Sequence, residues 1–310
     1  KHLPEYQDAS FRNVRIKDVM THQSGIQPHL PVIPYLLYRG PQNTACDSFF
    51  CKEASDVYDI PIAEDFFFQQ RLQDSIWRNL NAVKISGSRR YKYSDVNMVL
   101  TQRLVETKMN ASLDDIVRQR FYQPLGLRNI TYNPLEEFKE ERIVPTEKDE
   151  KWRRQQLKGY VHDESAALLG GVAGHAGLFA NAKDLAVIMQ MLMEGGQYGG
   201  KKLLDPATID FFTTARHGNH RGLAFDKLHR SNRSGRASQM SRQAFGHTGF
   251  TGTCAWADPE TNMVYIFLSN RLHPSVRNRK LFSQQIRSRI HQVVYNALNS
   301  YEDSWPDLVQ

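Results

Sequence analysis

The chain has 310 residues, of which 40% are hydrophobic and 24% charged, and its formal net charge is +7. That length exceeds what one minimal domain needs, so two subdomains that share a core are the expected organisation. No apolar run is long enough to span a membrane. Arginines gather near residues 216–242 and 277–289, but without interleaved aromatic and glycine patterns, and we predict no nucleic-acid partner.

The cysteines and histidines do not form a recognisable metal motif. Cys46 and Cys51 lie in a loop-like stretch and could be bridged, a point that the sequence leaves open, whereas Cys254 falls in a predicted strand and is interpreted as a buried small hydrophobe. No His/Cys group has zinc spacing. Single ligands could come from two polar groups, which we interpret as structural: His162-Asp163-Glu164 and the pair His217 and His220. We predict no metal, and no cofactor is implied.

The first residues, KHLPEYQDASF, have neither the apolar segment nor the small-residue cleavage site of a signal peptide. They do not resemble the beginning of a domain either, because Leu3-Pro4 leads at once into a helix signal at residues 16–22. We therefore expect the chain to be the later part of a longer protein.

The predicted elements before residue 215 are mainly helices, assigned from apolar spacing and from capping residues. A proline-rich stretch at 28–60 predicts a long loop, and the densely charged stretch 134–158 predicts a surface excursion. A glycine-rich loop begins at 168. The predicted helices cover 16–25, 61–80, 95–105, 112–122, 184–194 and 205–214.

The stretch FGHTGFTGTCAWADPETNMVYIFLSN, residues 245–270, predicts a β-hairpin. Two runs rich in β-formers, 253–257 and 263–268, flank turn residues. Glycines at 246, 249 and 252 leave bare backbone beside a hydroxyl and an imidazole, which indicates either a ligand against the strand or an ordinary edge strand with bulges. A long helix with one apolar face follows at 281–298 and is suited to packing on the sheet. Helices followed by a closed hairpin predict an α+β fold.

A second segment, YKYSDVNMVL at 91–100, places a phenol and a carboxylate at a predicted helix N-terminus. The helix dipole and the unpaired N–H groups there favour negative charge, including phenolate character in Tyr93. A phenolate near a cation can act as a general base. The alternative is that Tyr93 is a buried core aromatic, which is the commoner use of tyrosine.

Five short motifs together resemble the serine β-lactamase and penicillin-binding-protein superfamily, in its group of class C β-lactamases, D-alanyl-D-alanine peptidases and esterases. The resemblance covers roughly residues 1–298 and is greatest to domains fused behind a family 3 β-N-acetylhexosaminidase in Bacteroidetes-type bacteria. The motifs, in chain order, are the stretch 16–26, Tyr93-Ser94-Asp95, PLGLRNITY at 124–132, GGVAGHAGLFANAKDLA at 170–186, and His247-Thr248-Gly249.

The resemblance implies one β-lactamase/transpeptidase-like domain over 1–310, with an antiparallel sheet flanked by helices. A mostly helical subdomain is expected at about 16–215, and a hairpin and C-terminal helix that complete the sheet at about 243–299. The first strands of the sheet are expected to be missing from this chain.

The resemblance also implies catalytic roles for Tyr93, Asp95 and His247. Tyr93 would take a proton from the nucleophile and return it to the leaving group, while Asp95 occupies the position where asparagine is commonest. His247 stands at the lysine position of the third motif and could hold positive charge part of the time, since an unperturbed histidine has a pKa of about 6.5.

Substrate binding is implied for the residues that follow His247. Thr248 would hydrogen-bond a substrate carboxylate, and the Phe250 N–H would supply an oxyanion donor. Gly249 and the neighbouring glycines would let an acyl substrate lie along the strand.

One motif of the superfamily is absent from these 310 residues: no serine has a lysine three positions later. Ser24 and Ser94 lie in family-like motifs at positions that are not the nucleophile. We therefore expect the serine of Ser-x-x-Lys to lie upstream of Lys1. The parent protein would be a serine hydrolase acting through an acyl-enzyme on a β-lactam, a D-alanyl peptide or an ester.

The alternative is a non-catalytic module that recognises cell-wall peptide while a fused glycoside hydrolase does the chemistry. A periplasmic or envelope-associated location follows from the resemblance.

Overall fold

The computed structural model describes residues 2–31, 33, 46–215, 218–228 and 236–304. The fold has mixed helices and antiparallel sheets, as the α+β prediction requires. The chain forms two compact units. The first contains residues 1–180 and 273–275, and the second contains residues 181–272 and 276–310. The division thus falls at Ala180, and the helices around 190 and 210 belong with the hairpin.

The first unit contains a three-stranded sheet of order β1-β3-β2, formed by β1 (Phe50–Cys51), β2 (Tyr58–Ala63) and β3 (Phe66–Gln69). The hydrophobic core of this unit contains aromatic residues of the sheet. It also contains residues from helical segments that precede and follow the sheet in the sequence. Two further pairs are β4 (Ile130–Thr131) with β7 (Phe179–Ala180), and β5 (Pro145–Asp149) with β6 (Gln155–Lys158). The α-helices of this unit are Ile16–Met20, Gln70–Arg78, Asp95–Met109, Leu113–Val117 and Glu164–Leu168.

The predicted helix over 61–80 is wrong in its first half. Residues up to Gln69 form β2 and β3, joined through a left-handed Asp65 with φ of 46°. Phe68 is fully buried and pairs with Phe50, a partner 18 positions earlier that local apolar spacing does not reveal. Only Gln70–Arg78 is helical, followed by a 3₁₀ turn at Asn79–Ala82.

The charged stretch 134–158 is more than a surface excursion, because its second half forms the hairpin of β5 and β6. Arg153 is fully buried there and donates hydrogen bonds to Asp149 and to the backbone carbonyls of Val161 and His162. Five donors on one planar guanidinium make this possible. The charged composition therefore predicts a surface position for the whole stretch, whereas Arg153 is buried.

The second unit is built on a four-stranded antiparallel sheet of order β10-β11-β12-β13. Its strands are β10 (Asp226–Lys227), β11 (Phe245–Thr248), β12 (Cys254–Asp258) and β13 (Met263–Phe267), and a small separate hairpin is formed by β8 (Gln197–Tyr198) and β9 (Lys201–Lys202). The helices are Ala182–Met193, Pro206–Thr213, Lys280–Ser283 and Ile286–Ser304.

Successive side chains of each strand point to opposite faces of the sheet, and a different helix packs on each face. Met189, from the helix Ala182–Met193, packs with Phe245 and Ala257 on one face. Tyr295, from the C-terminal helix, packs with Trp256 on the other. The predicted hairpin and the predicted packing of the last helix on the sheet are both confirmed.

Two further expectations concern the cysteines and membrane spans. Cys46 and Cys51 form a disulfide, which answers the question left open by the sequence, and Cys254 is buried and not bridged. Among the helices of the described residues, none has the length and apolar character needed to cross a membrane.

Candidate active site

The Tyr93-Ser94-Asp95 motif lies at the start of the helix Asp95–Met109, as predicted. Ser94 occupies the N-cap position, but its hydroxyl donates to the carbonyl of Gln27 at 2.8 Å. The Asp95 N–H donates to the carbonyl of Pro28 at 3.0 Å. The segment that follows the first helix is thereby attached to the N-terminus of this longer one.

His22, which local sequence pattern does not indicate, makes a second connection between these two segments. It is buried in a left-handed conformation, with φ of 56°. Its Nδ1 accepts hydrogen bonds from the Ser94 N–H at 3.2 Å and from Asn97 Nδ2 at 3.1 Å. An imidazole nitrogen that accepts carries no proton, so the proton of the neutral ring is on Nε2.

The two serines inside the family-like motifs are also internal. Ser24 and Ser94 are both buried, and the Ser24 hydroxyl donates to Asn97 Oδ1 at 2.8 Å. The Ser94 hydroxyl bonds a backbone carbonyl, and the Ser24 hydroxyl bonds the Asn97 side chain that itself donates to His22. Their surroundings support the interpretation that neither is a nucleophile.

Tyr93 packs against the ring of His22. Its ring centroid lies 4.3 Å from that of His22, with the planes tilted by 31°. The residue is nevertheless 42% exposed, so it is not a core aromatic. A phenol that is fixed on one face and accessible on another can meet a substrate without rearranging.

Asp95 is the first residue of the helix Asp95–Met109 and is partly buried, with its side chain 29% exposed. Burial raises the pKa of this carboxyl and the nearby Asp163 adds to the effect, while His175 and His29 oppose it. The His29 ring Nδ1 is 3.8 Å from Asp95 Oδ2. Asp95 is thus a carboxyl whose charge depends on two histidines from other segments.

His175 is the second residue that sequence reasoning missed, although it lies inside the glycine-rich motif at 170–186. Its side chain is 2% exposed, and its Nε2 lies 2.9 Å from Asp163 Oδ1. The signal that could have found it is a single titratable residue within a loop of glycine, alanine and valine, where burial is expected.

The third motif belongs to the second unit. In β11, Phe245 and Gly246 pair with β10 on one side, and His247 and Thr248 pair with Ala255 and Cys254 of β12. The His247 Nδ1 donates to the carbonyl of Thr248 at 2.8 Å. The proton of its neutral ring is therefore on Nδ1.

The charge expected for His247 is not favoured by its surroundings. Burial lowers the pKa of this imidazole, and the buried guanidinium groups of Arg221 and Arg236 lower it further. Asp226 and the hydrogen bond to Thr248 oppose these effects without overcoming them. At neutral pH the ring is mostly uncharged, which differs from a lysine at this position.

The glycines of this motif have reasons within the protein itself. A Cβ at Gly246 would lie 2.1 Å from the carbonyl of Ala255, and one at Gly249 would lie 2.3 Å from Thr253 Oγ1. Gly252 has φ of 105°, and its N–H donates to the Gly249 carbonyl at 3.1 Å. Close packing and a tight turn therefore account for glycine here, and room for a substrate is not needed to explain it.

Phe250 projects from this turn and is largely exposed. Its carbonyl accepts a hydrogen bond from Arg271 Nε at 2.9 Å, and the Arg271 guanidinium lies 4.8 Å from its ring centroid. These contacts hold the backbone on which the proposed N–H donor lies.

The single metal ligands that the sequence offers are His162-Asp163-Glu164 and the pair His217 and His220. His162 bonds Glu147 at 2.5 Å and Asp163 bonds His175, while His217 lies outside the described residues. Within the described part of the chain, no group of three or more His, Cys, Asp or Glu side chains is arranged to hold a metal ion.

The antiparallel sheet backed by helices, with Tyr-Ser-Asp at a helix N-terminus and His-Thr-Gly on a strand, defines the β-lactamase/transpeptidase-like class. The chain belongs to the beta-lactamase family, whose family model matches residues 1–286.

Curated relatives agree with this assignment. A protein of Escherichia coli K12 named "Putative D-alanyl-D-alanine carboxypeptidase" is 37% identical over 201 residues, which is 59% of this chain and 46% of that protein. A protein of the same name from Salmonella enteritidis is 38% identical over 208 residues, 61% of this chain and 47% of that protein. The chain thus spans about half the length of the curated relatives it matches.

Solved structures share the fold at low identity. A penicillin-binding protein homologue from Caulobacter crescentus has a TM-score of 0.52 and 19% identity, covering 87% of this chain and 68% of its own. The hydrolase EstCE1 has a TM-score of 0.57 and 16% identity, covering 93% of this chain and 76% of its own.

Proposed function

We propose that this chain is part of a serine acyl hydrolase of the beta-lactamase family that acts on D-alanyl peptides. The observation that carries the proposal is Tyr93, an exposed phenol held on the buried His22 at the N-terminus of the helix Asp95–Met109. The substrate class is taken from the names of the curated relatives. β-Lactams and simple esters are further acyl donors that the same chemistry could cleave.

In the proposed reaction, a serine hydroxyl attacks the carbonyl carbon of the scissile bond, and its proton passes to the Tyr93 oxygen. The tetrahedral adduct collapses when the amine leaves and takes that proton, which leaves an acyl-serine ester. Water then attacks the ester and regenerates the serine. The serine is proposed to lie upstream of Lys1, because these 310 residues contain no Ser-x-x-Lys.

The residues of the third motif are proposed to bind the substrate, and the proton transfer is left to Tyr93. The Thr248 hydroxyl would hydrogen-bond the substrate carboxylate, and the Phe250 N–H would stabilise the oxyanion. Gly249 keeps the turn between them compact. Asp95 and His247 are proposed to adjust the charge and hydrogen bonding at the site.

The second candidate is a recognition module for cell-wall peptide attached to a glycoside hydrolase. It is favoured by the aspartate at position 95, by the mostly neutral His247 and by the lack of Ser-x-x-Lys in these residues. The exposed Tyr93 favours the hydrolase, because a site that only binds has no need of a base. We propose an envelope-associated location for either candidate.

The test is intact-mass labelling of the 310-residue chain and of the uncut gene product with a fluorophosphonate and with a penicillin. An adduct on the long form alone is expected, and peptide mapping should locate it on a serine outside these residues. An adduct on a serine of the 310-residue chain would contradict the upstream nucleophile. Labelling of neither form would favour the recognition module.

A further inference from the structure

The buried side chain of His175 lies in a cluster with two half-buried polar residues, Asp163 and Ser165. Asp163 Oδ1 accepts hydrogen bonds from the Ser165 hydroxyl at 2.5 Å and from the Ala166 N–H at 2.8 Å, and it lies 2.9 Å from His175 Nε2. The second ring nitrogen of His175, Nδ1, is buried without a hydrogen-bond partner among the described residues.

The three residue types are those of a serine protease triad, but their geometry excludes that role. In a triad, the histidine meets the serine through one ring nitrogen and the carboxylate through the other. Here Ser165 Oγ and Asp163 Oδ1 both lie against Nε2, at 3.0 Å and 2.9 Å. The cluster is therefore an ion pair supported by a hydroxyl.

The charges of the pair stabilise each other. Burial by itself lowers the pKa of His175, but the hydrogen bond and the charge of Asp163 raise it above the ordinary value. Burial likewise acts to raise the pKa of Asp163, and the hydrogen bonds from His175 and Ser165 reverse this and hold it well below its usual range. The pair is thus a carboxylate and an imidazolium over a wider pH range than isolated groups would be.

The loop that carries His175 is fixed to the helix Asp95–Met109. Gln102 accepts from the Gly174 N–H at 2.9 Å and donates to the Val172 carbonyl at 3.1 Å. A Cβ at Gly174 would lie 2.4 Å from the Met98 carbonyl, so loop and helix are in backbone contact. This leaves His175 little freedom to move relative to the first turns of the helix.

Asp95 begins that helix, and three charged groups from other segments bear on it. His175 lies in the glycine-rich loop, and Asp163 lies in the segment before that loop. His29 lies in the segment that follows the first helix. The influence of His175 on Asp95 is mutual, since Asp95 also favours the charged form of His175. His29 is largely solvent-exposed, so its charge is screened more than that of His175.

We propose that His175, held as a cation by Asp163, is a positioning residue that keeps Asp95 ionised two residues from Tyr93. The catalytic consequence rests on the proposed function: the low-pH limit of acyl transfer would follow the ionisation of Asp95. The charge coupling itself does not rest on it.

The coupling is tested in the 310-residue chain by ¹³C NMR titration of the aspartate carboxyl carbons, with the Asp95 signal assigned from Asp95→Asn. His175→Gln should raise the titration midpoint of Asp95 by about 1 pH unit, because the cation that favours the charged form of Asp95 is lost. Ser165→Ala is the matched control, because it removes a hydrogen bond to Asp163 without removing a charge, and it should move the midpoint much less. An unchanged midpoint in folded His175→Gln would overturn the proposal.

A reciprocal measurement covers the case in which His175→Gln does not fold. Because the coupling must be equal in both directions, Asp95→Asn should lower the titration midpoint of the His175 ring protons by the same amount. An unmoved His175 midpoint in Asp95→Asn would also overturn the proposal.

Activity separates this inference from the proposed function. In the full-length protein, the acid limb of kcat/KM in His175→Gln should move to higher pH by the shift that NMR measures. A moved carboxyl midpoint with an unmoved acid limb would remove Asp95 from the catalytic step and leave the coupling intact. A full-length protein with no turnover would count against the proposed function alone.

Discussion

At the scale of single residues, the position of Tyr93 depends on His22. The histidine combines a left-handed backbone, a buried ring and an accepting Nδ1, and the tyrosine packs on its face. Sequence spacing placed Tyr93 at the helix N-terminus, but the choice between core aromatic and accessible phenol depended on its exposure. That exposure is set by contacts with a segment about 70 residues earlier, which a local pattern does not contain.

Replacing Tyr93 by phenylalanine in the full-length protein should lower kcat/KM for acyl transfer by about 100-fold or more, because the group that carries the proton is lost. The ring and its contact with His22 remain, so the unfolding temperature should change little. Tyr91→Phe is the matched control, since Tyr91 is also exposed and packs edge-on to the same His22. Equal turnover of Tyr93→Phe and the parent protein would remove Tyr93 from the mechanism.

The lowered pKa of His247 predicts how activity depends on pH. Because burial lowers its pKa, the ring is neutral above about pH 6.5, and activity should not fall as pH rises from 7 to 8 on account of this residue. His247→Lys, which introduces a cation, should reduce kcat/KM across that range. If activity instead falls through pH 6 to 7.5 and the lysine variant abolishes that limb, His247 acts through positive charge.

At the scale of elements, the helix Asp95–Met109 and the glycine-rich loop form one structural group through Gln102 and Gly174. The helix was predictable from its apolar spacing and the preceding Ser94. Its partner loop was not, because the amide of Gln102 pairs with residues 70 or more positions away.

Gly174→Ala should destabilise the protein by about 1–3 kcal/mol, since the added methyl would meet the Met98 carbonyl of a helix that cannot easily move. Thermal and urea unfolding measure the change. Gly87→Ala is the control, because a Cβ there meets nothing within 4 Å, and it should alter stability by less than about 0.5 kcal/mol. Equal stability of the two variants would show that loop and helix adjust freely.

At the scale of the whole molecule, the predictable part of the fold is the part fixed by short-range signals. The hairpin of β12 and β13 follows from its turn residues, and the C-terminal helix from its apolar face. The strands β1 to β3 and the hairpin of β5 and β6 were missed, because their pairing or their buried Arg153 depends on distant partners. The site divides in the same way: its motifs were found from sequence, while His22 and His175 required the structure.

The stability of the folded chain should depend on pH through His291 in the C-terminal helix. This histidine is fully buried, stacks on Tyr265 with ring centroids 3.9 Å apart, and accepts a hydrogen bond from the Ala237 N–H. Burial lowers the pKa of His291 to about 4. Because the unfolded chain binds a proton near pH 6.5 that the folded chain excludes, stability should fall by roughly 3 kcal/mol between pH 7 and pH 4.

Urea unfolding at several pH values measures this dependence. His291→Asn keeps an acceptor near the position of Nδ1 and does not titrate, so its pH slope between 6.5 and 4 should be smaller than that of the parent chain. The same slope in both proteins would assign the acid sensitivity to other groups.

The buried Arg153 has a practical consequence for protein engineering. Its hairpin is rich in charge and would be a natural choice for an inserted tag or a shortened loop. A change that displaces Arg153 would leave a buried cation without its partners and release the carbonyls of Val161 and His162, which lead directly into Asp163. The turn at Gly199–Gly200, between β8 and β9, has open space around both glycines and is the better place for an insertion.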